Sequence, residues 1–330
     1  MNQKRILFIS KGENAPSTRY RGLAYFSALS SDGWEPEHIT VRGNPLLRIK
    51  LLKRAGRADV VVILRKTFSA PFLSMLRLCS RNLIFDLDDA IFCRSNGAIS
   101  RTRRNRFARM ANRCRQIWAG NEYLAAASRQ YNNEVTTLPT SLVPGKYSMK
   151  AEKPAKNIDL VWIGSRSTRK YLDTGLPALE NLAGSLPHIR LKIVADFDLK
   201  CGRLSTIAVP WSEENEASAL SSSHIGIAPM PDNSWTRGKC GLKVLQYMAA
   251  GLPVVSSAAG VNEEIVEHGV TGFLADNAET WQKAIEELIN KPDLRRVMGE
   301  AGRKRVMGQY SVEATYPKMA RALDSLFRKH

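Results

Sequence analysis

The stretch RGKCGLKVLQYMAAGLPVVSS, residues 237–257, decides the fold that we expect of this chain. Its apolar residues recur at three- and four-residue spacing, which predicts a helix over residues 239–250. Gly251 suits the left-handed turn that ends a helix, and Pro253 cannot continue one. The apolar run 253–256 follows at once and predicts a strand. A helix that leads directly into a strand is typical of an α/β protein.

Three polar side chains of this predicted helix, Lys239, Lys243 and Gln246, fall within one narrow band. The rest of the circumference is apolar, so we expect a largely buried helix with one polar seam. Two cations and an amide suit an anionic, hydroxyl-rich ligand, because lysines neutralise phosphate and an amide both donates to and accepts from a diol. A narrow polar seam is also what any helix that covers a sheet shows to solvent, and the pattern alone leaves both interpretations open.

Short apolar runs alternate with helical patterns along the chain, first over residues 5–139 and again over 158–275. Strands that alternate with helices indicate parallel βαβ units. Between Leu138 and Asn157 the sequence turns to Pro, Gly and Lys without periodicity, which predicts a linker. We therefore expect an α/β protein of two doubly wound, Rossmann-like domains that face each other across a cleft, with ligands at the carboxyl ends of the strands. The expected boundaries are 1–145 for the first domain, 146–156 for the linker, 157–310 for the second domain and 311–330 for a terminal helix.

Charge is concentrated in the first domain. The chain has a net charge of +18, and residues 1–145 hold 24 Lys and Arg against 10 Asp and Glu, whereas residues 146–330 hold 25 against 21. This imbalance predicts affinity for something anionic, which is a membrane surface, a nucleic acid or a phosphorylated substrate. No apolar run is long enough to span a bilayer and no secretory signal is evident, so we expect a cytoplasmic protein.

The sequence lacks the motifs of a disulfide framework, a zinc site, a nicotinamide site and a P-loop. The five Cys and five His are scattered without the spacing of a disulfide framework or a zinc site, and no acidic cluster with metal-ligand spacing appears apart from Asp86, Asp88 and Asp89. No Gly-x-Gly-x-x-Gly follows the first strand, and no glycine loop ends in Gly-Lys-Ser/Thr. We therefore expect no metal and no nicotinamide or P-loop nucleotide.

The order of these segments resembles the retaining glycosyltransferases of family 4, which have the two-domain GT-B fold and use a nucleotide-sugar donor. The most specific match is GLKVLQYMAAGLPVVSSAAGVNEEIVEHGVTGFLA, residues 241–275, which resembles the donor-site helix, strand and glycine-rich loop of that family. Further matches are APSTRYRG (15–22), IFDLDDAIF (84–92), AGNEYL (119–124) and VWIGSRSTRKYL (161–172).

The resemblance implies a C-terminal domain that holds nucleotide and diphosphate, and an N-terminal domain on the acceptor side. Departure of the diphosphate leaves negative charge on phosphate, so cations and helix N-termini aimed at it stabilise the transition state without a metal. The resemblance assigns Gly241, Lys243 and Gln246 to donor binding and Lys239 to catalysis. Family members also commonly use a terminal helix that packs back on the N-terminal domain. The apolar stripe of residues 312–327 fits such a helix.

One departure from the family concerns its pair of glutamates. The family commonly has a Glu that contacts the donor sugar and, eight positions later, a second Glu that contacts the ribose; this chain has Gly238 and Gln246 there. Gln246 can still hydrogen-bond a ribose, without the charge assistance of a carboxylate. Gly238 offers no side chain, so we interpret the site as a variant.

Two further groups are candidates at strand ends. Ser165, Arg166 and Thr168 lie in a strand-to-helix turn that suits phosphate, although a plain N-cap would contain the same residue types. Arg19 and Arg21 follow the first strand, where we expect Arg19 to act in catalysis and Arg21 on the acceptor side, or both to be surface arginines.

The carboxylates Asp86, Asp88 and Asp89 end an apolar strand, where buried acids are costly without a purpose. We expect Asp89 to act in catalysis and Asp88 to orient an acceptor hydroxyl. An N-cap with a salt bridge to a nearby arginine is the alternative.

Residues 101–118, RTRRNRFARMANRCRQIW, hold seven arginines, and no Asp or Glu occurs between Asp89 and Glu122. On a helix, an apolar side that includes Phe107 and Met110 adjoins a face with Arg106, Arg109 and Arg113, which predicts a helix that lies on an anionic leaflet. A plain helix that covers the sheet is the second interpretation. Nucleic acid is the third and is not expected, because no aromatic platform accompanies the arginines.

The sequence therefore predicts a metal-independent, retaining glycosyltransferase without a cofactor. We expect it to transfer a hexose from a nucleotide-diphosphate sugar to a glycan or lipid-linked acceptor of cell-surface polysaccharide, on the cytoplasmic face of the membrane. The alternatives are a nucleotide-sugar epimerase of similar fold, and a non-catalytic protein that binds sugar nucleotides or nucleic acid.

Overall fold

Two compact units, each made of separate segments of the chain, form the structure, which is a computed structural model that describes residues 3–41, 45–149 and 151–328. Unit 1 comprises Met1–Ser141, Asn233–Cys240 and Val312–His330, and unit 2 comprises Leu142–Asp232 and Gly241–Ser311. The segment Asn233–Cys240, which we expected in the second domain, thus belongs to unit 1. Residue 150 of the expected linker and residues 329–330 of the expected terminal helix lie outside the described residues.

Strands and helices alternate in both units. The strands are β1 Lys4–Ser10, β2 Trp34–Thr40, β3 Val60–Leu64, β4 Leu83–Leu87, β5 Gln116–Ala119, β6 Val135–Thr137, β7 Ile158–Ile163, β8 Ile189–Ala195, β9 Ser205–Pro210, β10 Ile225–Ala228, β11 Val254–Ser256 and β12 Gly272–Leu274. The α-helices are α1 Pro16–Arg21, α2 Phe26–Ser31, α3 Pro45–Ala55, α4 Ala70–Cys79, α5 Arg101–Arg113, α6 Glu122–Arg129, α7 Arg169–Ser185, α8 Glu213–Ser221, α9 Leu242–Ala249, α10 Asn262–Ile265, α11 Ala278–Asn290, α12 Pro292–Gln309 and α13 Val312–Ser325. Short 3-10 turns lie at Leu23–Tyr25, Pro144–Lys146, Arg166–Thr168 and Thr236–Gly238.

The sheet of unit 1 has the strand order β2-β1-β3-β4-β5-β6, with parallel neighbours. Strand β3, VVVIL, is apolar throughout and at most 2% exposed, because both faces of a parallel sheet are covered. The helices α3, α4 and α5 contribute Leu51, Leu73 and Phe107 to one core cluster with this sheet. The strand order reverses between β1 and β3, so the carboxyl ends of these two strands form a switch point, the usual place for a ligand in an α/β sheet.

The terminal helix α13 packs within unit 1. The Thr315 hydroxyl lies 2.9 Å from the Tyr25 hydroxyl, and Gln116 Nε2 donates to the Ala322 carbonyl at 2.9 Å. Met319, on the apolar stripe, is fully buried. The stripe therefore covers the face of the unit 1 sheet that carries α1 and α2.

The sheet of unit 2 has the order β12-β11-β10-β7-β8-β9 and is also parallel. Its core includes Trp162 of β7, Ile193 of β8 and Leu288 of α11. The order reverses between β7 and β10, so a second switch point lies at the carboxyl ends of these strands. The fold class expected from the sequence, α/β with two doubly wound sheets, is confirmed.

The helix expected over 239–250 begins only at Leu242. Gly241 precedes it with φ of 64°, a left-handed conformation that an α-helix does not contain. A Cβ at Gly241 would also lie 2.2 Å from Ile265 Cδ1, so a larger residue would have to displace that side chain. Lys239 therefore lies outside the helix, and the predicted polar seam is wrong as a single helical band.

The residue spacing over about 18–30 also suits one continuous helix. The structure divides it at Gly22, whose φ of −126° and ψ of −80° are not helical. A Cβ at Gly22 would lie 3.0 Å from Leu64 Cδ1, so close packing of the chain against β3 causes the break. Periodicity carries no sign of such a contact.

Candidate active site

Asp86 is the penultimate residue of strand β4, and Asp88 and Asp89 directly follow that strand. The three carboxylates have different partners. Asp86 is fully buried and accepts two hydrogen bonds from Arg21, each 2.6 Å long. Arg21 is itself 1% exposed, so the expectation that it contacts an acceptor is wrong. A buried guanidinium is stable only with a carboxylate partner, and Asp86 is that partner for Arg21.

Asp89 lies between two cations. Its Oδ1 accepts from Lys239 Nζ at 2.8 Å, and its Oδ2 accepts from Arg65 Nη1. The Asp89 side chain is 8% exposed and the Lys239 side chain 25%. With both oxygens engaged, Asp89 fixes the position of the Lys239 ammonium group.

Asp88 differs from its neighbours because its Oδ1 is buried and has no hydrogen-bond partner among the described residues. Arg65 Nε is the cation nearest to it, at 3.7 Å. Burial raises the pKa of Asp88, against the lowering effect of Arg65.

Arg65 is a residue that the sequence analysis missed. It directly follows β3, beside the switch point, and it has φ of 50°, the only positive φ of a residue other than glycine in the described parts of the chain. Such a conformation costs on the order of 1 kcal/mol or more and is often retained at functional sites. Here it directs the guanidinium toward Asp88 and Asp89. Its one signal in the sequence is an arginine immediately after an apolar strand.

Arg19 lies on α1, near the same switch point, and is 9% exposed. Its guanidinium carbon is 5.0 Å from the centre of the Tyr20 ring. Arg19 is therefore held near the carboxyl ends of β1 and β3 while it remains largely buried.

The segment Asn233–Cys240 brings Lys239 to Asp89. Asn121 Nδ2 donates to the carbonyl oxygens of Arg237 at 3.0 Å and of Lys239 at 2.8 Å. A Cβ at Gly238 would lie 2.5 Å from Ala90 Cβ and 2.6 Å from Ala90 N. The backbone at Gly238 thus packs directly on the turn after β4, which leaves no room for a side chain at this position.

In unit 2, Lys243 lies at the switch point. It is in the first turn of α9, the helix that follows β10, and its Nζ is 3.8 Å from the centre of the Trp162 ring of β7. The indole is fully buried, and its Nε1 has no hydrogen-bond partner among the described residues. A cation over a buried aromatic face is held in a defined place, here at the start of a helix whose N-terminus favours anions.

The turn after β7 contains Ser165, Arg166 and Thr168. Ser165 and Thr168 form a capping box in which Ser165 N donates to Thr168 Oγ1 at 3.1 Å. Arg166 N donates to Asp196 Oδ1 at 2.7 Å. These contacts are those of the plain N-cap interpretation, and they hold the turn at the same edge of the sheet as Lys243.

Gln246 is buried rather than presented on a surface. It is 3% exposed, and its Nε2 lies 3.4 Å from the Tyr147 hydroxyl. The expectation of an exposed Gln246 in a polar seam is therefore wrong. α9 is packed on both sides in unit 2, which leaves its first turn, with Lys243, as the accessible part.

The three arginines of the predicted membrane helix lie on α5. Phe107 and Met110, expected to contact lipid, are 1% and 0% exposed because they pack in the core of unit 1. Arg106 and Arg113 are exposed and Arg109 is half-buried. The expected apolar contact of α5 with a leaflet is wrong, and its outward face is cationic.

In residues 3–41, 45–149 and 151–328, no group of three or more His, Cys, Asp or Glu side chains is arranged to hold a metal ion. The same ranges contain no helix that combines the length and apolar character needed to cross a bilayer. All five cysteines are free thiols.

Residues 146–305 match the family model described as Glycosyl transferases group 1. The chain is 32% identical over 146 residues to the human alpha-1,3/1,6-mannosyltransferase ALG2. The aligned region covers 41% of this chain and 31% of that protein. It is 30% identical over 138 residues to a D-inositol 3-phosphate glycosyltransferase of Pseudarthrobacter chlorophenolicus, with the same coverage of 41% and 31%. The chain spans a third or less of the length of these curated relatives.

Solved structures match the fold over nearly the whole chain. Anabaena Alr3699/HepE in complex with UDP-glucose aligns with a TM-score of 0.74 at 16% identity and covers 97% of this chain and 99% of its own. A glycosyltransferase from Rickettsia africae aligns with a TM-score of 0.73 at 14% identity and full coverage of both chains. The fold is therefore that of GT-B glycosyltransferases.

Proposed function

Because residues 146–305 match the family model of the group 1 glycosyl transferases, we propose that this chain transfers a sugar from a nucleotide-diphosphate sugar to an acceptor. The observation that carries the proposal is the position of Lys243 at the switch point of unit 2, at the start of α9 and over Trp162. A cation at a helix N-terminus, at the carboxyl edge of a parallel sheet, suits a diphosphate. UDP-glucose in the complex of the Anabaena protein supports a donor of this class.

The turn of Ser165, Arg166 and Thr168 is proposed to complete the donor site together with Gly241. Its backbone is held by the capping box and by Asp196, so it needs little reorganisation on binding. Gln246 is buried, so in this proposal it supports α9 from within and is not a contact of the ribose.

On the acceptor side we propose roles for Lys239, Asp89, Asp88 and Arg19. Lys239 is the cation that would stabilise the charge developing on the departing diphosphate, and Asp89 is a positioning residue because its oxygens already hold Lys239 and Arg65. Asp88, whose side chain is 13% exposed at the end of β4 beside Arg65, would accept from an acceptor hydroxyl. Arg19 would add positive charge near the carboxyl ends of β1 and β3.

The finer features proposed are those of family 4: retention of anomeric configuration, transfer of a hexose, and independence from metal. The resemblance of 241–275 to the donor-site stretch of that family supports them. For the acceptor we propose a glycan or glycolipid of the cell surface, reached from the cytoplasmic face. The cationic surface of unit 1 supports a protein bound peripherally to a membrane, rather than one bound to nucleic acid.

A thermal-shift screen tests the donor class. UDP, GDP and ADP would be compared with the corresponding nucleosides, and a ligand at 100 times its dissociation constant adds about 2.7 kcal/mol of stability. We expect stabilisation by at least one nucleoside diphosphate and little by its nucleoside. Absence of stabilisation by every diphosphate would contradict the proposal. Chelation by EDTA should leave transfer unchanged.

A further inference from the structure

Three neighbouring helices of unit 1, α3, α4 and α5, share one side of the sheet. Arg48 of α3 lies over the ring of Phe72 in α4, with its guanidinium carbon 5.6 Å from the ring centre. Arg113 of α5 donates to Ser74 Oγ of α4 at 2.9 Å. The outward sides of the three helices therefore form one continuous surface, which we call the α3–α5 surface.

The charge of the α3–α5 surface has one sign. The helix α3 holds four Lys and Arg, α4 holds one and α5 holds six, and none of the three holds an Asp or a Glu. A solvated helix face of a cytoplasmic protein commonly mixes both signs of charge. An all-cationic surface favours an anionic partner.

The same surface exposes large apolar side chains. Leu78 of α4 is 86% exposed, Ile49 of α3 is 54% exposed and Met75 of α4 is 46% exposed. They stand among the cations and are not part of the core. Exposed leucine and isoleucine beside arginine and lysine suit the boundary between lipid headgroups and acyl chains, where cations contact phosphate and apolar side chains enter below it.

We propose that the α3–α5 surface docks on an anionic lipid leaflet, with Leu78 and Ile49 entering the acyl boundary and the lysines and arginines of α3 and α5 contacting lipid phosphates. The partner is a leaflet rather than a nucleic acid, because a phosphate backbone would use the cations and give no burial to Leu78. This assigns the apolar contact to α3 and α4, whereas the apolar side of α5 packs in the core. The docking rests on the peripheral membrane attachment proposed above, but it requires no nucleotide, so its test is separate from that of the proposed transfer activity.

Co-sedimentation of the full chain with lipid vesicles tests the proposal. Vesicles of phosphatidylcholine alone are compared with vesicles that contain phosphatidylglycerol, at low and at high salt and without nucleotide. We expect binding only to the anionic vesicles, and a strong decrease at high salt.

Two variants separate the charged from the apolar contribution. Lys50→Gln, Lys53→Gln and Arg106→Gln together remove three exposed cations and should weaken partitioning at least about tenfold. Leu78→Ser leaves the charge unchanged. It should lower the binding to anionic vesicles at low salt and also the binding that persists at high salt. Because all four side chains are exposed, the variants should fold.

Matched controls use other surfaces. Lys200→Gln, Lys318→Gln and Arg321→Gln change the net charge equally, and Val297→Ser removes an apolar side chain that is 50% exposed on α12. Both controls should bind as the unaltered protein does. Binding that is indifferent to lipid charge, or equal losses in the control and test variants, would overturn the proposal. So would a cation variant that loses affinity for duplex DNA and keeps its affinity for vesicles.

Discussion

Arg21 and Asp86 form a fully buried ion pair at the centre of unit 1. Nε of Arg21 donates to Oδ1 of Asp86 and Nη2 donates to Oδ2, each at 2.6 Å, while Nη1 donates to the Leu138 carbonyl at 2.8 Å. The two residues are 1% and 0% exposed. Burial raises the pKa of Asp86 to about 6, and the Arg21 charge opposes this increase. The pair joins α1 to the end of β4 and thereby places Asp88 and Asp89.

Removal of one partner of this pair should destabilise the protein strongly. Asp86→Asn or Arg21→Met leaves one charge buried without its counterion, and we expect each to lower the free energy of unfolding by about 3–5 kcal/mol. Urea denaturation measures the loss. The exposed pair of Arg81 and Asp59 is the control, since Arg81→Ala should cost about 1 kcal/mol or less. Equal losses at the two sites would show that burial of the Arg21 pair does not matter.

Gly238 should not accept a side chain. A Cβ there would lie 2.5 Å from Ala90 Cβ, so Gly238→Ala must displace the segment that carries Lys239, with an expected cost of about 1–3 kcal/mol. Gly308→Ala, on α12 with no atom within 4 Å of the added Cβ, should be neutral or stabilising by up to about 1 kcal/mol. Thermal denaturation of both variants makes the comparison. If Gly238→Glu, which restores the residue common in the family, were stable and more active, our account of this position would fail.

Lys243→Gln should weaken binding of a nucleoside diphosphate and leave binding of the nucleoside almost unchanged. The lost partner is phosphate, and a charge-assisted hydrogen bond contributes about 1.5–3 kcal/mol, which corresponds to at least a tenfold change in dissociation constant. Isothermal titration calorimetry with both ligands measures it. Lys283→Gln, at an exposed site on α11, is the control and should change neither affinity. Equal losses for nucleoside and diphosphate would assign Lys243 to another role.

The stability of the protein should fall between pH 6.5 and pH 4 because of His224. This residue is 7% exposed, its Nδ1 accepts from Asp159 N at 3.0 Å, and burial, together with nearby Lys153, Arg295 and Lys192, lowers its pKa to about 4. The unfolded chain then binds the proton more readily than the folded chain, so this contribution is present above pH 6.5 and is lost as pH falls toward 4.

The size of the His224 effect is on the order of 2 kcal/mol over this range. Urea denaturation of the protein and of His224→Asn at several pH values isolates it, since the amide oxygen replaces Nδ1 as acceptor and does not titrate. The difference in unfolding free energy between the two proteins should shrink or reverse as pH falls. A difference independent of pH would show that His224 does not titrate as described.

Sequence patterns located most strands of both sheets because parallel strands are continuous apolar runs. VVVIL of β3 and LIFDL of β4 stand out in the sequence as such runs and are buried along their whole length. The edge strand β2, WEPEHIT, has no apolar run and was not predicted, since only one side of it is paired. Strands that are buried on both faces can thus be predicted from their apolar residues, whereas the edge strand β2 cannot.

The candidate site was predictable only in part. The acids after β4 and the lysines near α9 were recognised as polar residues at strand and helix ends. Periodicity could not show that Gly241 takes a positive φ, which moves Lys239 from the helix to a partner on Asp89. Nor could periodicity show that Arg21 pairs with Asp86, or that Arg65 hydrogen-bonds Asp89. Both features depend on contacts between residues far apart in the sequence.

The most direct test of the central claim is time-resolved proton NMR of UDP- and GDP-linked sugars incubated with the protein, with water as the acceptor. The account predicts slow release of a nucleoside diphosphate from one donor, together with free sugar that initially has the anomeric configuration of that donor, and loss of both signals in Lys243→Gln. Appearance of an epimer would indicate an epimerase instead. Binding of a donor without any turnover, with or without a glycan or lipid-linked acceptor, would contradict the claim that this chain is a glycosyltransferase.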